Sequence, residues 1–169
     1  AFGLLLAKEI DALEKVLAHP QAPLTAIIGG AKVSSKLGII EHLIGRVDRL
    51  IVGGGMAYTF VQAQGGKIGN SLVESEMHAQ ALAILEKAKT TGTELLLPHD
   101  TLIADQFAAD AATDIVLTES IPDGWMGLDI GPETTQRFVD AVLSSKTVLW
   151  NGPMGVFEMD AFAKGTNAV

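Results

Sequence analysis

Short, continuously apolar runs that close on glycine or proline alternate along this chain with segments of helical periodicity, and that alternation leaves few folds open. "LTAIIGG" (24–30), "RLIVGGG" (49–55), "TELLLP" (93–98) and "KTVLWNGPMG" (146–155) are such runs, and "TDIVLTESIPD" (113–123) holds a further strand and turn. Between them, Val33, Leu37, Ile40 and Ile44 recur at helical spacing, as do Ala57, Phe60 and Val61, and then Met77, Ala81, Ile84, Leu85 and Ala88. "GPETTQRFVDAVLSS" (131–145) has Pro132 and Glu133 where a first helical turn favours them. Ahead of all these, Leu6, Ile10, Leu13 and Leu17 predict a helix that stops at His19-Pro20. Strands apolar on both faces, alternating with amphipathic helices, imply a parallel sheet covered on both sides. The expected fold class is α/β, a Rossmann-like three-layer αβα arrangement with a mostly parallel sheet, as a single domain over 1–169.

Composition narrows the partners. Twenty acidic against 12 basic residues give a net charge of −8, which argues against nucleic acid or an anionic membrane, so any positive site must be local. There is no cysteine, which excludes disulfides and thiolate metal sites. The opening "AFGLLLAKEI" is too short an apolar run to span a bilayer. A cytoplasmic, monomeric protein is expected. An apolar helical pattern starting at Ala1, without polar lead-in, gives the expectation of a piece cut from a longer chain.

In sheets of this class ligands lie outside the carboxyl ends of the strands. Three of those ends, "GGAKVSSK" (29–36), "GGGMAYTF" (53–60) and "NGPMGVFE" (151–158), are rich in glycine, which permits positive φ and close approach of a ligand to the backbone. One such loop is an ordinary tight turn; three along one edge suggest a slot for a flat or phosphorylated ligand. Lys32 and Lys36 stand four residues apart at a helix start that is already partially positive. Two cations there call for an anion, and a polyphosphate would satisfy lysines, dipole and backbone N–H groups together, with Ser34 or Ser35 capping the first turn. The GxxxxGK[ST] loop is absent. "GGGMAY" offers only the first two glycines of a dinucleotide fingerprint, with Glu74 in an irregular stretch rather than at a strand end.

"IIGGAKVSSK" (27–36), "LIVGGGMAYTF" (50–60), "GWMGLDIGPET" (124–134) and "TVLWNGPMGVFE" (147–158) together resemble, in order and spacing, signature segments of phosphoglycerate kinase. That enzyme moves a phosphoryl group between 1,3-bisphosphoglycerate and ADP to give 3-phosphoglycerate and ATP in glycolysis, and the resemblance extends over essentially the whole chain. It implies the nucleotide-binding lobe, with Lys32 stabilising the phosphoryl group in flight and Lys36 contacting nucleotide phosphates. Gly30 and Ala31 fall on the nucleotide-binding loop, Gly54 and Gly55 beside the adenine pocket, and Gly127 and Leu128 in another part of its wall. Asn151 and Pro153 correspond to contacts near ribose and phosphates, and Glu158 to the acid that accepts hydrogen bonds from the ribose hydroxyls. The anion required by the two lysines is then the phosphate chain of the nucleotide. Mg2+ is expected to arrive with ADP or ATP, since the family's metal-engaging aspartate has no counterpart here. The lobe that binds the phosphoglycerate has none either, so the piece alone is expected to bind nucleotide weakly and not to turn over.

Other residues are assigned bland roles. His19, His42, His78 and His99 have no second ligand at metal spacing. Glu74 and Glu76 read as a solvated pair leading into a helix, "HD" at 99–100 as a turn, Asp123 and Asp129 as loop acids without a partner base, and Trp125 and Trp150 as packing residues. Two other readings stay open: a nicotinamide-dependent dehydrogenase domain, and a non-catalytic nucleotide-like module kept for protein interaction.

Overall fold

A strand with no apolar alternation must be covered on both faces, and β1 (Leu24–Ile28) is buried at all its positions. The computed structural model describes residues 23–108, 110–151, 165 and 167; the helix expected over 6–17 lies outside them. After β1 come α1 (Val33–Leu43), β2 (Arg49–Val52), α2 (Met56–Ala63), β3 (Lys67–Ile68), a 3-10 turn (Ser75–Met77) and α3 (His78–Thr91). Then follow β4 (Glu94–Leu96), β5 (Asp100–Ala104), β6 (Thr113–Leu117), β7 (Ser120–Ile121), β8 (Met126–Ile130), α4 (Pro132–Leu143) and β9 (Thr147–Asn151).

β4, β2, β1 and β9 form, in that order, a sheet in which every pairing is parallel. Side chains alternate across a strand, so each strand of this sheet serves two cores. Leu24, Ala26 and Ile28 with Leu50 and Val52 pack on one face against Val33, Ile40 and Leu43 of α1, Met56 and Phe60 of α2, and Ala81 and Ile84 of α3. Ile27 and Ile51 point the other way, onto Phe138 and Ala141 of α4. Helices thus cover both faces, the three-layer αβα arrangement that unbroken apolar strands require.

Local chemistry sets the helix limits. α3 stops where Gly92 turns left-handed at φ +80°, a conformation glycine adopts without a Cβ clash. α4 opens with Pro132 in its first turn, where the missing N–H is no loss.

A second sheet, ordered β6, β5, β8, is antiparallel throughout. The strand within 113–123 is β6, whereas "DTLIA" and "MGLDI" carry no strand signal because Asp and Gly are poor strand formers. Both acids have tertiary reasons to be there. Asp100 is buried at the start of β5, not in a turn, and its carboxylate reaches the first turn of α4. It accepts the backbone N–H groups of Glu133 (3.0 Å) and Thr134 (2.7 Å) and the Thr134 hydroxyl (2.6 Å). A Cβ on Gly131 would stand 2.3 Å from the Asp100 Cγ, so the carboxylate occupies the space a side chain would need. Burial alone would raise the Asp100 carboxyl; hydrogen bonds from Thr134 and Glu133 outweigh it and hold it below the ordinary aspartate value.

Asp129, expected in a loop, is a β8 residue only 2% exposed. It accepts N–H groups from Ile130 (2.8 Å) and Gly165 (2.9 Å). Two neutral donors do not compensate its desolvation, and burial pushes its carboxyl up to about 6. The two aspartates therefore act on stability in opposite directions.

Asp100 titrates low in the folded chain, so its contribution is present above about pH 4 and fades as pH falls further. Asp100→Ala is expected to lower the unfolding free energy by about 1–3 kcal/mol at pH 7 in urea denaturation, a deficit that narrows below about pH 4. Asp129 has the reverse sign: the folded chain takes up its proton first, so stability rises as pH falls from about 7 to about 4. Its contribution is on the order of 2 kcal/mol. Urea denaturation of Asp129→Asn across the same range should lack that rise; a parallel pair of pH curves would refute the assignment.

Candidate functional site

The strand register decides how the ends of β1, β2 and β9 are arranged. Ile28 lies opposite Val52 on one side and opposite Asn151 on the other, so β1, β2 and β9 end in one row. From β1 the chain winds through α1 to β2 and onward to β4, then returns by α4 to β9 on the far side of β1. The direction of winding therefore reverses between β1 and β9, and in open α/β sheets such a reversal leaves a crevice at the carboxyl edge.

Backbone bonds knit the first two loops together. Gly53 donates its N–H to the Ile28 carbonyl and Met56 to that of Gly30, each at 2.9 Å. Gly30 has φ +126°, a region that strains any residue with a side chain. Its empty side is taken by Lys36, whose Cε would lie 3.5 Å from a Cβ built there. Lys36 accordingly runs back over the end of β1 instead of out along the helix. Lys32 is exposed, extended at φ −126° and ψ 126°, and forms the N-cap of α1 without a side-chain capping bond. Both lysines thus lie next to the end of β1, but Lys32 stands in extended backbone ahead of the helix and only Lys36 lies within it, so helical spacing does not relate the two.

Ala31 and Gly55 face each other closely: a Cβ on Gly55 would be 3.3 Å from both the Ala31 Cα and the Leu72 Cδ1. Leu72 is 63% exposed. Ala31, Gly55 and Leu72 therefore make an apolar ledge open to solvent beside the lysines, while Gly54, at φ +73°, turns the loop beneath it. Leu72 carries no periodic signal in the sequence; the apolar Leu72-Val73 pair inside an otherwise polar stretch is its one trace.

An anion does sit at the start of α1, and it belongs to the protein. Glu74, expected as half of a solvated pair, accepts the Ser34 N–H through Oε1 (3.1 Å) and the Ser34 hydroxyl through Oε2 (2.6 Å). Neither serine caps the helix as expected. Ser34 donates to Glu74, and Ser35 donates its hydroxyl back to the Lys32 carbonyl at 2.9 Å. Partial burial would raise the Glu74 carboxyl, yet hydrogen bonds from Ser34 and Val33 and the charge of Lys32 hold it below the ordinary glutamate value.

Gly127 and Leu128 are buried in β8. A Cβ on Gly127 would collide with the Tyr58 hydroxyl at 2.2 Å, so glycine here makes room for the ring, and its N–H donates to Ser71 Oγ at 2.9 Å. Leu128 packs with Ala104. Asn151 ends β9 beside Ile28; its side chain, Pro153 and Glu158 lie outside the described residues. Among the described residues no group of three or more His, Cys, Asp or Glu side chains is placed to hold a metal ion, and no helix is long and apolar enough to cross a membrane. Trp125 packs against the Tyr58, Ile68 and Ile121 cluster.

The family model described as "Phosphoglycerate kinase" matches residues 1–169. Phosphoglycerate kinase of Deinococcus radiodurans is 57% identical over 169 residues, which is 100% of this chain and 40% of that protein. Cytosolic phosphoglycerate kinase of Nicotiana tabacum is 55% identical over 167 residues, 99% of this chain and 42% of its own length. The solved phosphoglycerate kinase of Coxiella burnetii superposes with a TM-score of 0.90 at 42% identity, over 97% of this chain and 42% of that one. The chain thus spans about two fifths of the length of these relatives.

Proposed function

The chain belongs to the phosphoglycerate kinase family, and on that premise we propose that it is the nucleotide-binding lobe of such an enzyme, taking Mg-ADP or Mg-ATP at the carboxyl edge of its parallel sheet. The observation that carries this reading is the row formed by Ile28, Val52 and Asn151, with Lys36 folded over Gly30 directly behind it. A base lies flat on the Ala31, Gly55 and Leu72 ledge, and the phosphates extend toward the two lysines. Gly30, Gly54 and Gly55 keep the backbone low enough for that approach.

In the whole enzyme a β-phosphate oxygen of ADP attacks the acyl phosphorus of 1,3-bisphosphoglycerate. The bond from phosphorus to the carboxyl oxygen breaks, and 3-phosphoglycerate leaves as a carboxylate with no proton to be moved. Negative charge spreads over the equatorial oxygens in flight, so positioned cations do the work. Lys32, exposed at the N-cap of α1, is the residue to stabilise that charge, and Lys36 grips the nucleotide phosphates. Asn151, Pro153 and Glu158 are assigned to ribose and phosphates. Gly127 and Leu128 are assigned to the far wall of the base pocket, where their burial makes them supports under the surface. Mg2+ would neutralise phosphate charge when bound with the nucleotide, and the described residues offer it no cluster of ligands. A cytoplasmic monomer is the setting this reading implies.

Turnover needs the second substrate held in line at reacting distance, so this chain alone binds nucleotide without transferring phosphate. Calorimetric titration should give saturable binding of Mg-ADP, none of NADH, and at least a tenfold weakening in Lys36→Ala, about 1.4 kcal/mol. Lys32→Ala should change ground-state affinity less, because its charge is matched to the transferring group. Absence of Mg-ADP binding by a chain that circular dichroism shows to be folded would sink the reading. Phosphoryl transfer by the chain alone would overturn the claim that it is incomplete as a catalyst.

A further inference from the structure

The ledge residue Leu72 is held in place by polar anchors on either side of it and not by its own burial. On the near side, Asn70 donates its N–H to the Trp125 carbonyl (2.8 Å), and Ser71 Oγ accepts the Gly127 N–H (2.9 Å). On the far side Glu74 does two things at once. Its backbone N–H donates to Oγ1 of Thr59 (3.1 Å), a fully buried residue of α2, and its carboxylate takes both donors of Ser34 in the first turn of α1. Between these anchors Leu72 and Val73 are both exposed. One residue therefore ties together the helix that follows the "GGAKVSSK" loop, the helix that follows the "GGGMAY" loop, and the segment that lays Leu72 against Gly55.

We propose that Glu74 is a positioning residue for the nucleotide, a clasp whose carboxylate fixes the first turn of α1 and keeps Leu72 on the Gly55 wall; this rests on the nucleotide-binding reading of the site. The carboxylate also answers the electrostatic problem set by Lys32. It accepts the helix N-terminal donors and lies near Lys32, so that lysine stands at a positive helix end beside an acid of the protein's own. Phosphates then meet the lysine ammonium groups and not the Ser34 N–H, which is already bonded.

A clasp acting through Leu72 should be read by the base alone, and adenosine, which has no phosphates, is the probe. Glu74→Ala is expected to weaken adenosine and Mg-ADP by a similar factor, roughly tenfold. Glu74→Gln keeps an oxygen to accept the Ser34 N–H and should bind within about threefold of wild type. Ser34→Ala removes one bond from the other side of the clasp and should give a smaller loss in the same direction, which covers the case in which Glu74→Ala fails to fold. Leu72→Ala should weaken both ligands, and adding Glu74→Ala to it should weaken them little further, because the two act as a unit. Fully additive losses, or wild-type affinity in Glu74→Ala, overturn the proposal. Hydrogen exchange separates this from failure of the nucleotide reading. Without any ligand, Glu74→Ala should speed exchange at Ser34 and over 72–74. Unchanged protection there removes the clasp even if nucleotide binds, whereas faster exchange in a chain that binds no nucleotide keeps the clasp and removes its ligand.

Discussion

Burial of β1 on both faces is the constraint from which the rest of the molecule follows. Its five residues have helices above and below, so its backbone polar groups must be satisfied by strands at either side, and parallel neighbours require long crossovers. The crossovers through α1 and α4 run to opposite sides of β1, and that choice alone creates the reversal between β1 and β9. A reversal of that kind leaves a crevice at the carboxyl edge of the sheet, beside β1.

Two carboxylates from distant segments complete the helices that flank this arrangement. Asp100 reaches α4 from β5, and Glu74 reaches α1 from the loop before α3. Neither α1 nor α4 has a side-chain cap from its own N-cap residue, so orphan N–H groups that sequence-local chemistry leaves open are closed by tertiary structure. In both cases the acid is held ionised by the donors it serves. Asp129 shows the contrary case, a carboxylate with two backbone donors but deeper burial, where desolvation wins. The balance between donors and burial, and not the residue type, sets each charge.

Glycine is required at different positions for two different reasons. Gly30 is needed for its backbone, which no side chain tolerates at that φ. Gly127 and Gly131 have ordinary backbones and are needed for the space a Cβ would take, filled by the Tyr58 ring in one and the Asp100 carboxylate in the other. Glycine therefore serves backbone conformation in the loop after β1, and close packing at Gly127 in β8 and at Gly131 just after it.

The sequence by itself determined the layered α/β class, because unbroken apolar strands such as "LTAII" call for cover on both faces, and it located the two lysines near a strand end, because both follow that apolar run closely in the chain. Four ordered segments also sufficed to identify the family. What only the tertiary structure decided were contacts between segments far apart in the chain: Glu74 on Ser34, Asp100 on Thr134, Leu72 on Gly55, and the antiparallel pairing of β5 with β8 through an aspartate-bearing strand. Periodicity reports which face of an element is buried. It carries no information about which distant polar group will meet a helix end, because that depends on loops whose course is set by packing.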